Sequence, residues 1–173
     1  MKSQKEIISI LTDGSKWPDI YHPEFLEELN TVADNLFSKK TLEGYIASIL
    51  IYHQIAEEMI KALINISAFY SQSLNLHIYF KDREVDKKMF GQLINELDYS
   101  LKLENTDYFI QKCKELNEIR INIVHKMTKK KNITEIQKIC KKSKRIFDEI
   151  YELFEDIYDE WRLCLKDIAK EYL

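Results

Sequence analysis

Both prolines of this 173-residue chain, Pro18 and Pro23, lie near its start, and its three glycines are Gly14, Gly44 and Gly91. Beyond Pro23 every residue keeps its backbone N–H, and only two glycines loosen the backbone. Such a chain is restricted to long helices unless its apolar residues alternate with a period of two. They recur instead at three and four. Over 24–37 the series is Phe25, Leu26, Leu29, Val32, Ala33 and Leu36. Over 85–103 it is Met89, Phe90, Leu93, Ile94, Leu97 and Leu101. In 42–73 apolar residues cover more than half the circumference, as expected of a central helix. From Ile136 to Ile168 the same spacing supports one long helix or two. The pattern predicts an all-α protein, a single domain over 1–173, with N-terminal helices and a loop to residue 40 and a bundle core from 41 onward.

The breaks carry less information. Residues 2–12 read as a short amphipathic helix ended at Asp13-Gly14. Residues 15–23 form a clear loop, with Trp17 and Tyr21 expected to pin it to the core and His22 on its surface. Thr41 is a weak N-cap, because Gly44 stands where a capping-box Glu would be. The stretch LNLHIYF alternates like a strand, but a lone strand has no pairing partner, so 75–86 is expected to be an irregular connection. Asn105, Thr106 and Asp107 offer capping chemistry to a helix over 107–126.

Several function classes lose support at this level. The apolar runs of 42–73 are interrupted by His53, Gln54, Glu57, Glu58 and Lys61, short of the roughly 20 residues a membrane span needs. Cys113, Cys140 and Cys164 are distant from one another and odd in number. With no secretory leader in view they suit small core hydrophobes of a reduced, cytoplasmic protein. No Gly-rich phosphate loop, nucleophile elbow or zinc spacing occurs, so neither a cofactor nor a metal is expected. His53 and Glu57 share a helix face without a third ligand and read as a hydrogen-bonded structural pair.

Charge is distributed unevenly. Residues 112–145 hold 12 basic and 3 acidic side chains, a net +9, inside a chain of net −3. Local positive charge of this size attracts polyanions whatever the total, unless acids of the same fold neutralise it. The block surrounds the segment LNEIRINIVHKM at 116–127. There Arg120, Asn122 and His125 are set among Leu116, Ile119, Ile123, Val124 and Met127, a framing that suggests buried surroundings. On an ideal helix Arg120 and His125 stand about 140° apart, whereas Asn122 and His125 share a face. Arg120 would therefore reach the histidine of another chain, or a ligand spanning both, more easily than its own.

Arginine, four residues, then histidine at the end of an apolar helix, in a small helical chain, resembles the HEPN superfamily (higher eukaryotes and prokaryotes nucleotide-binding). The long helix at 46–69, with its acidic pair, supports the resemblance, which covers about 41 to the C-terminus. It implies an up-and-down helical bundle that homodimerises so that two motifs meet in one cleft. It further implies RNA as ligand, possible metal-independent endoribonuclease activity, and toxin–antitoxin or phage-defence roles. Arg120, His125 and Asn122 are then the catalytic candidates, with Lys126, Lys129, Lys130 and Lys131 as nucleic-acid contacts. Active members usually carry a polar residue directly after the arginine; here that place holds Ile121, and the asparagine follows at Asn122. This departure keeps a second reading open, a non-catalytic helical dimer that binds a nucleotide or a partner such as a nucleotidyltransferase-like antitoxin. A third is a plain helical dimer whose basic and acidic stretches meet.

Overall fold

The structure, a computed structural model, describes residues 4–77, 84–130 and 132–173. Six α-helices and no strand occur among them: α1 (Gln4–Leu11), α2 (Pro23–Ser38), α3 (Leu42–Leu74), α4 (Phe90–Asp98), α5 (Thr106–Lys126) and α6 (Ile133–Ala169). The all-α bundle expected from periodicity is the fold observed. No helix of the described residues is long and apolar enough to cross a membrane.

Local chemistry sets the helix starts. Pro23 opens α2, where its missing N–H would have been unpaired in any case. Thr41 is a working N-cap after all, its hydroxyl accepting from the Gly44 N–H at 3.1 Å. Asn132 caps α6 in the same way, Oδ1 accepting from Glu135 N–H at 3.0 Å. The α5 start departs from expectation: Asn105 enters at φ 66 and makes no side-chain cap bond, while the Thr106 hydroxyl accepts from Leu103 N–H at 3.1 Å. The predicted 85–103 helix is shorter, a single 3-10 turn at Val85–Lys87 preceding α4.

Side-chain pairs fix how the helices run. Phe37 packs on Tyr45 with ring centres 5.3 Å apart, and Asp34 accepts from the Tyr52 hydroxyl at 2.6 Å, so α2 and α3 are antiparallel. Tyr52 stacks on Phe147 at 4.5 Å and Tyr70 meets Trp161 at 5.0 Å, so α3 and α6 lie alongside in one direction. Lys112 pairs with Glu149 at 2.6 Å and Glu115 with Lys142 at 3.9 Å, which makes α5 antiparallel to α6. Thus α2, α3, α5 and α6 alternate up and down, with α4 packed in the connection between α3 and α5. Through Ile7 and Leu11, α1 covers the α3–α6 side.

The core follows α3, whose Ile49, Tyr52, Ile60, Leu63, Ile64 and Ile66 are all fully buried. Trp17 pins the 15–23 loop as expected, donating from Nε1 to Leu11 O at 2.9 Å. Tyr21 does not: it is 73% exposed. Phe25 and Val32, assigned by spacing to the buried face of α2, are also exposed, because α2 packs chiefly on α3 and buries a narrow stripe.

Candidate functional site

The motif helix α5 has two different ends. Its first three turns bury Phe109, Ile110, Cys113 and Leu116 against α3, α4 and α6. After Ile119 the burial thins. Ile123 is fully buried, but Ile121 is 37% exposed and Val124 42% exposed. His125 and Lys126 are exposed as well. The expectation that the three polar motif residues sit in buried surroundings is therefore corrected for His125. The bundle does not extend far enough to cover the last turn, and Val124 faces outward with it.

Arg120 points the other way. It is half-buried, and its charge bears on both His53 and Glu57 of α3. Three residues earlier on the same face, Asn117 meets His53, with His53 Nε2 and Asn117 Oδ1 3.4 Å apart. Phe90 of α4 closes the site, its ring centre 4.2 Å from that of His53. His53 and Glu57, expected to bond each other, do not. His53 turns to Asn117, and Glu57 pairs with Lys61 at 3.5 Å. The reason is that α5 and α4 supply partners from 64 and 37 positions away in sequence, which spacing along α3 cannot register.

Burial sets the protonation of this cluster. It lowers the His53 pKa to about 4; the Asn117 hydrogen bond opposes the shift and the Arg120 charge adds to it. The ring is therefore neutral near pH 7, and in its Nε2-protonated tautomer it donates to Asn117. Burial raises the Glu57 pKa, against the pull of Lys61 and Arg120. A histidine with a depressed folded pKa contributes its full stability above about pH 6.5. That contribution is lost as pH falls toward 4, because the unfolded chain binds the proton first. The loss between pH 7 and pH 4 is expected to be about 3 kcal/mol. Glu57 changes in the opposite sense and offsets part of it. Denaturant unfolding of wild type and His53→Gln across this range isolates the histidine term: the variant should show a flatter acid limb. Parallel limbs would mean that His53 is solvated.

Asn122 is spoken for locally, its Nδ2 donating to Glu118 O at 2.9 Å, so it does not turn toward His125. Much of the basic block is also engaged within the fold. Besides Lys112 and Lys142, Lys114 meets Asp98 at 3.6 Å, and Lys144 meets Asp34 at 3.1 Å and Asp148 more closely. Of the four lysines expected to contact nucleic acid, Lys130 pairs with Glu135 at 3.6 Å. Lys126 and Lys129 make no ion pair among the described residues, and Lys131 lies outside them. The surplus positive charge of the 116–130 region is thus concentrated beside His125.

Within one chain, then, Arg120 and His125 do not converge. Arg120 belongs to a half-buried cluster with His53, Glu57 and Asn117, and His125 to an exposed, apolar-rimmed and basic helix end. Asn117 went unnoticed in the sequence, although its spacing of three from Arg120 places both on one face. Among the described residues no group of three or more His, Cys, Asp or Glu side chains could hold a metal ion. No protein-family model matches the chain, and no curated protein or solved structure shows significant similarity to it.

Proposed function

We propose that the protein is a HEPN-like RNA-binding homodimer that cleaves RNA without a metal, Arg120 of one chain acting with His125 of the other. The observation that carries this reading is the divergence of the two side chains on α5, together with exposed Ile121 and Val124 beside His125. An apolar, polar-studded helix end of this kind is suited to a second copy of itself, and a two-fold pairing sets each His125 near the partner's motif. Lys126 and Lys129 flank the resulting cleft and give it the charge an RNA backbone requires.

The chemistry is that of internal transesterification. The ribose 2′-oxygen loses its proton and attacks phosphorus. The P–O5′ bond then breaks and the leaving oxygen gains a proton. Histidine can act as base or acid near neutral pH, and the arginine fork matches the phosphate oxygens whose charge grows in the transition state. Asn122 lies between them on the helix and keeps its side-chain carbonyl available to the ribose. In this reading the protein acts in the cytoplasm, in toxin–antitoxin or phage-defence biology.

The exposed Ile121 in the place of a polar residue favours a second reading, a non-catalytic dimer that binds a nucleotide or a nucleotidyltransferase-like antitoxin through the same cleft. One experiment separates the two. Wild-type protein incubated with RNA in EDTA should yield 2′,3′-cyclic phosphate ends under the first reading; RNA bound but intact supports the second. Assembly is tested at Val124. Val124→Glu should convert a dimer to a folded monomer, read by light scattering and circular dichroism, because it sets a charge in an interface that the monomer exposes to water. Ile123 is unsuitable for this purpose, since it is buried within its own chain and a charge there would unfold it. A Val124→Glu variant of unchanged mass would place the interface elsewhere.

A further inference from the structure

A cavity of about 560 Å³ opens between the loop before α2, the start of α2 and the outer side of α3. It lies on the stripe of α3 next to the one bearing His53 and Glu57. One wall is aromatic. Tyr21 and Phe25, 73% and 56% exposed, leave two large rings at the cavity, although Tyr21 is expected to pin its loop to the core and the spacing of apolar residues assigns Phe25 to a buried face. The Tyr21 ring is held edge-on against His22 at 4.0 Å, and His22 sits at φ 51, a left-handed conformation that few residues with a side chain adopt. The facing wall is a polar stripe, Gln54, Glu58, Lys61 and Asn65, on successive turns of an otherwise buried helix.

We propose that this cavity binds a nucleobase, adenine in preference to uracil, stacked on the Phe25 and Tyr21 rings and read by the α3 stripe. The volume falls within the range of small-molecule sites. Exposed aromatic faces beside hydrogen-bonding side chains are the arrangement that takes an unpaired base. The amides of Gln54 and Asn65 each offer a donor and an acceptor. That pairing matches the amino group and adjacent ring nitrogen of adenine. Glu58 adds an acceptor: Lys61 holds its Oε1 at 2.7 Å, and the second carboxylate oxygen can receive an exocyclic amine.

The same lining argues against a phosphate inside. Lys61 is already engaged by Glu57, Glu58 and Asp86, at 3.5, 2.7 and 3.7 Å. Asp19, Glu58 and Asp86 leave the cavity with an acidic character. A base therefore enters with its phosphate, if it has one, directed to solvent. The base could arrive on a free nucleoside or as an unpaired nucleotide of a single strand. The site makes no use of Arg120 or His125 and stands apart from the cleavage reading.

The test is titration of the full chain with adenosine, AMP, uridine and a short oligoadenylate, followed by calorimetry or NMR. Adenosine should bind, AMP several-fold more weakly because of the surrounding carboxylates, and uridine, which lacks an exocyclic amine, about tenfold more weakly. Phe25→Ala should weaken adenosine about tenfold, and Asn65→Ala should erase the preference over uridine. Both positions are exposed, so circular dichroism should be unchanged. Arg120→Ala should leave adenosine binding intact, which keeps this result distinguishable from loss of cleavage. Oligoadenylate that competes with adenosine identifies a single strand as the source; adenosine binding without such competition identifies the free nucleoside. No adenosine binding at millimolar concentration, equal binding of uridine, or full affinity in Phe25→Ala would overturn the proposal.

Discussion

His125→Ala is expected to lower RNA cleavage by about 10²–10⁴-fold, the usual worth of a positioned general acid or base. RNA binding should change little, because the exposed imidazole is one contact among several and Lys126 and Lys129 remain. Arg120→Ala should lower both cleavage and affinity, since a guanidinium on the phosphate acts before as well as during reaction. A further difference follows from where the two side chains sit. His125 is exposed on the last turn of α5, so its removal should leave unfolding unaltered. Arg120 shares a half-buried cluster with Glu57, and its loss leaves Lys61 as that carboxylate's remaining cation. Modest destabilisation of Arg120→Ala with none in His125→Ala is the expected pair of results. Wild-type cleavage by His125→Ala would remove the histidine from the chemistry.

The largest expected effect on stability is at Gly44. In an exposed helix, alanine is about 1 kcal/mol better than glycine. Here the sign is reversed. A Cβ on Gly44 would lie 2.3 Å from the Leu36 carbonyl oxygen of α2 and 3.1 Å from the Thr41 hydroxyl that caps α3. The first neighbour is backbone and cannot swing aside, so α2 must move off α3 or the cap must open. Gly44→Ala should therefore cost about 3 kcal/mol, at the upper end of overpacking. For a domain of this size that corresponds to roughly 6–12 °C in Tm. A variant as stable as wild type would mean that α2 does not approach α3 this closely.

Gly44 also shows what could and could not be read from the residues. Its place at the third helical position counted against Thr41 as a cap, because a capping box wants Glu there. The close approach of another helix, which dictates the glycine, is a contact between elements and leaves no local trace. The helices themselves were legible, since period, caps and the scarcity of Gly and Pro are properties of neighbouring residues. Which apolar residues stay exposed was not. Phe25, Val32 and Val124 carry the right spacing, yet their coverage depends on how far the packed neighbours extend. At the site, Arg120 and His125 were correctly separated by helix geometry alone. The partnership of His53 with Asn117 was missed because it joins residues 64 positions apart. The basic block was legible as charge; its neutralisation by Asp34, Asp98 and Glu149 is again a matter of packing.

The central claim, that one active site draws Arg120 and His125 from two chains, is tested most directly by mixing two inactive proteins. Arg120→Ala and His125→Ala variants are combined in equal amounts, allowed to exchange subunits, and assayed for RNA cleavage, with exchange verified by native mass measurement. Each heterodimer regains one cleft with both groups intact. Since half of the randomly exchanged dimers are heterodimers with one working site of two, the mixture should recover about a quarter of wild-type activity. Heterodimers no more active than their two parents would contradict the shared site.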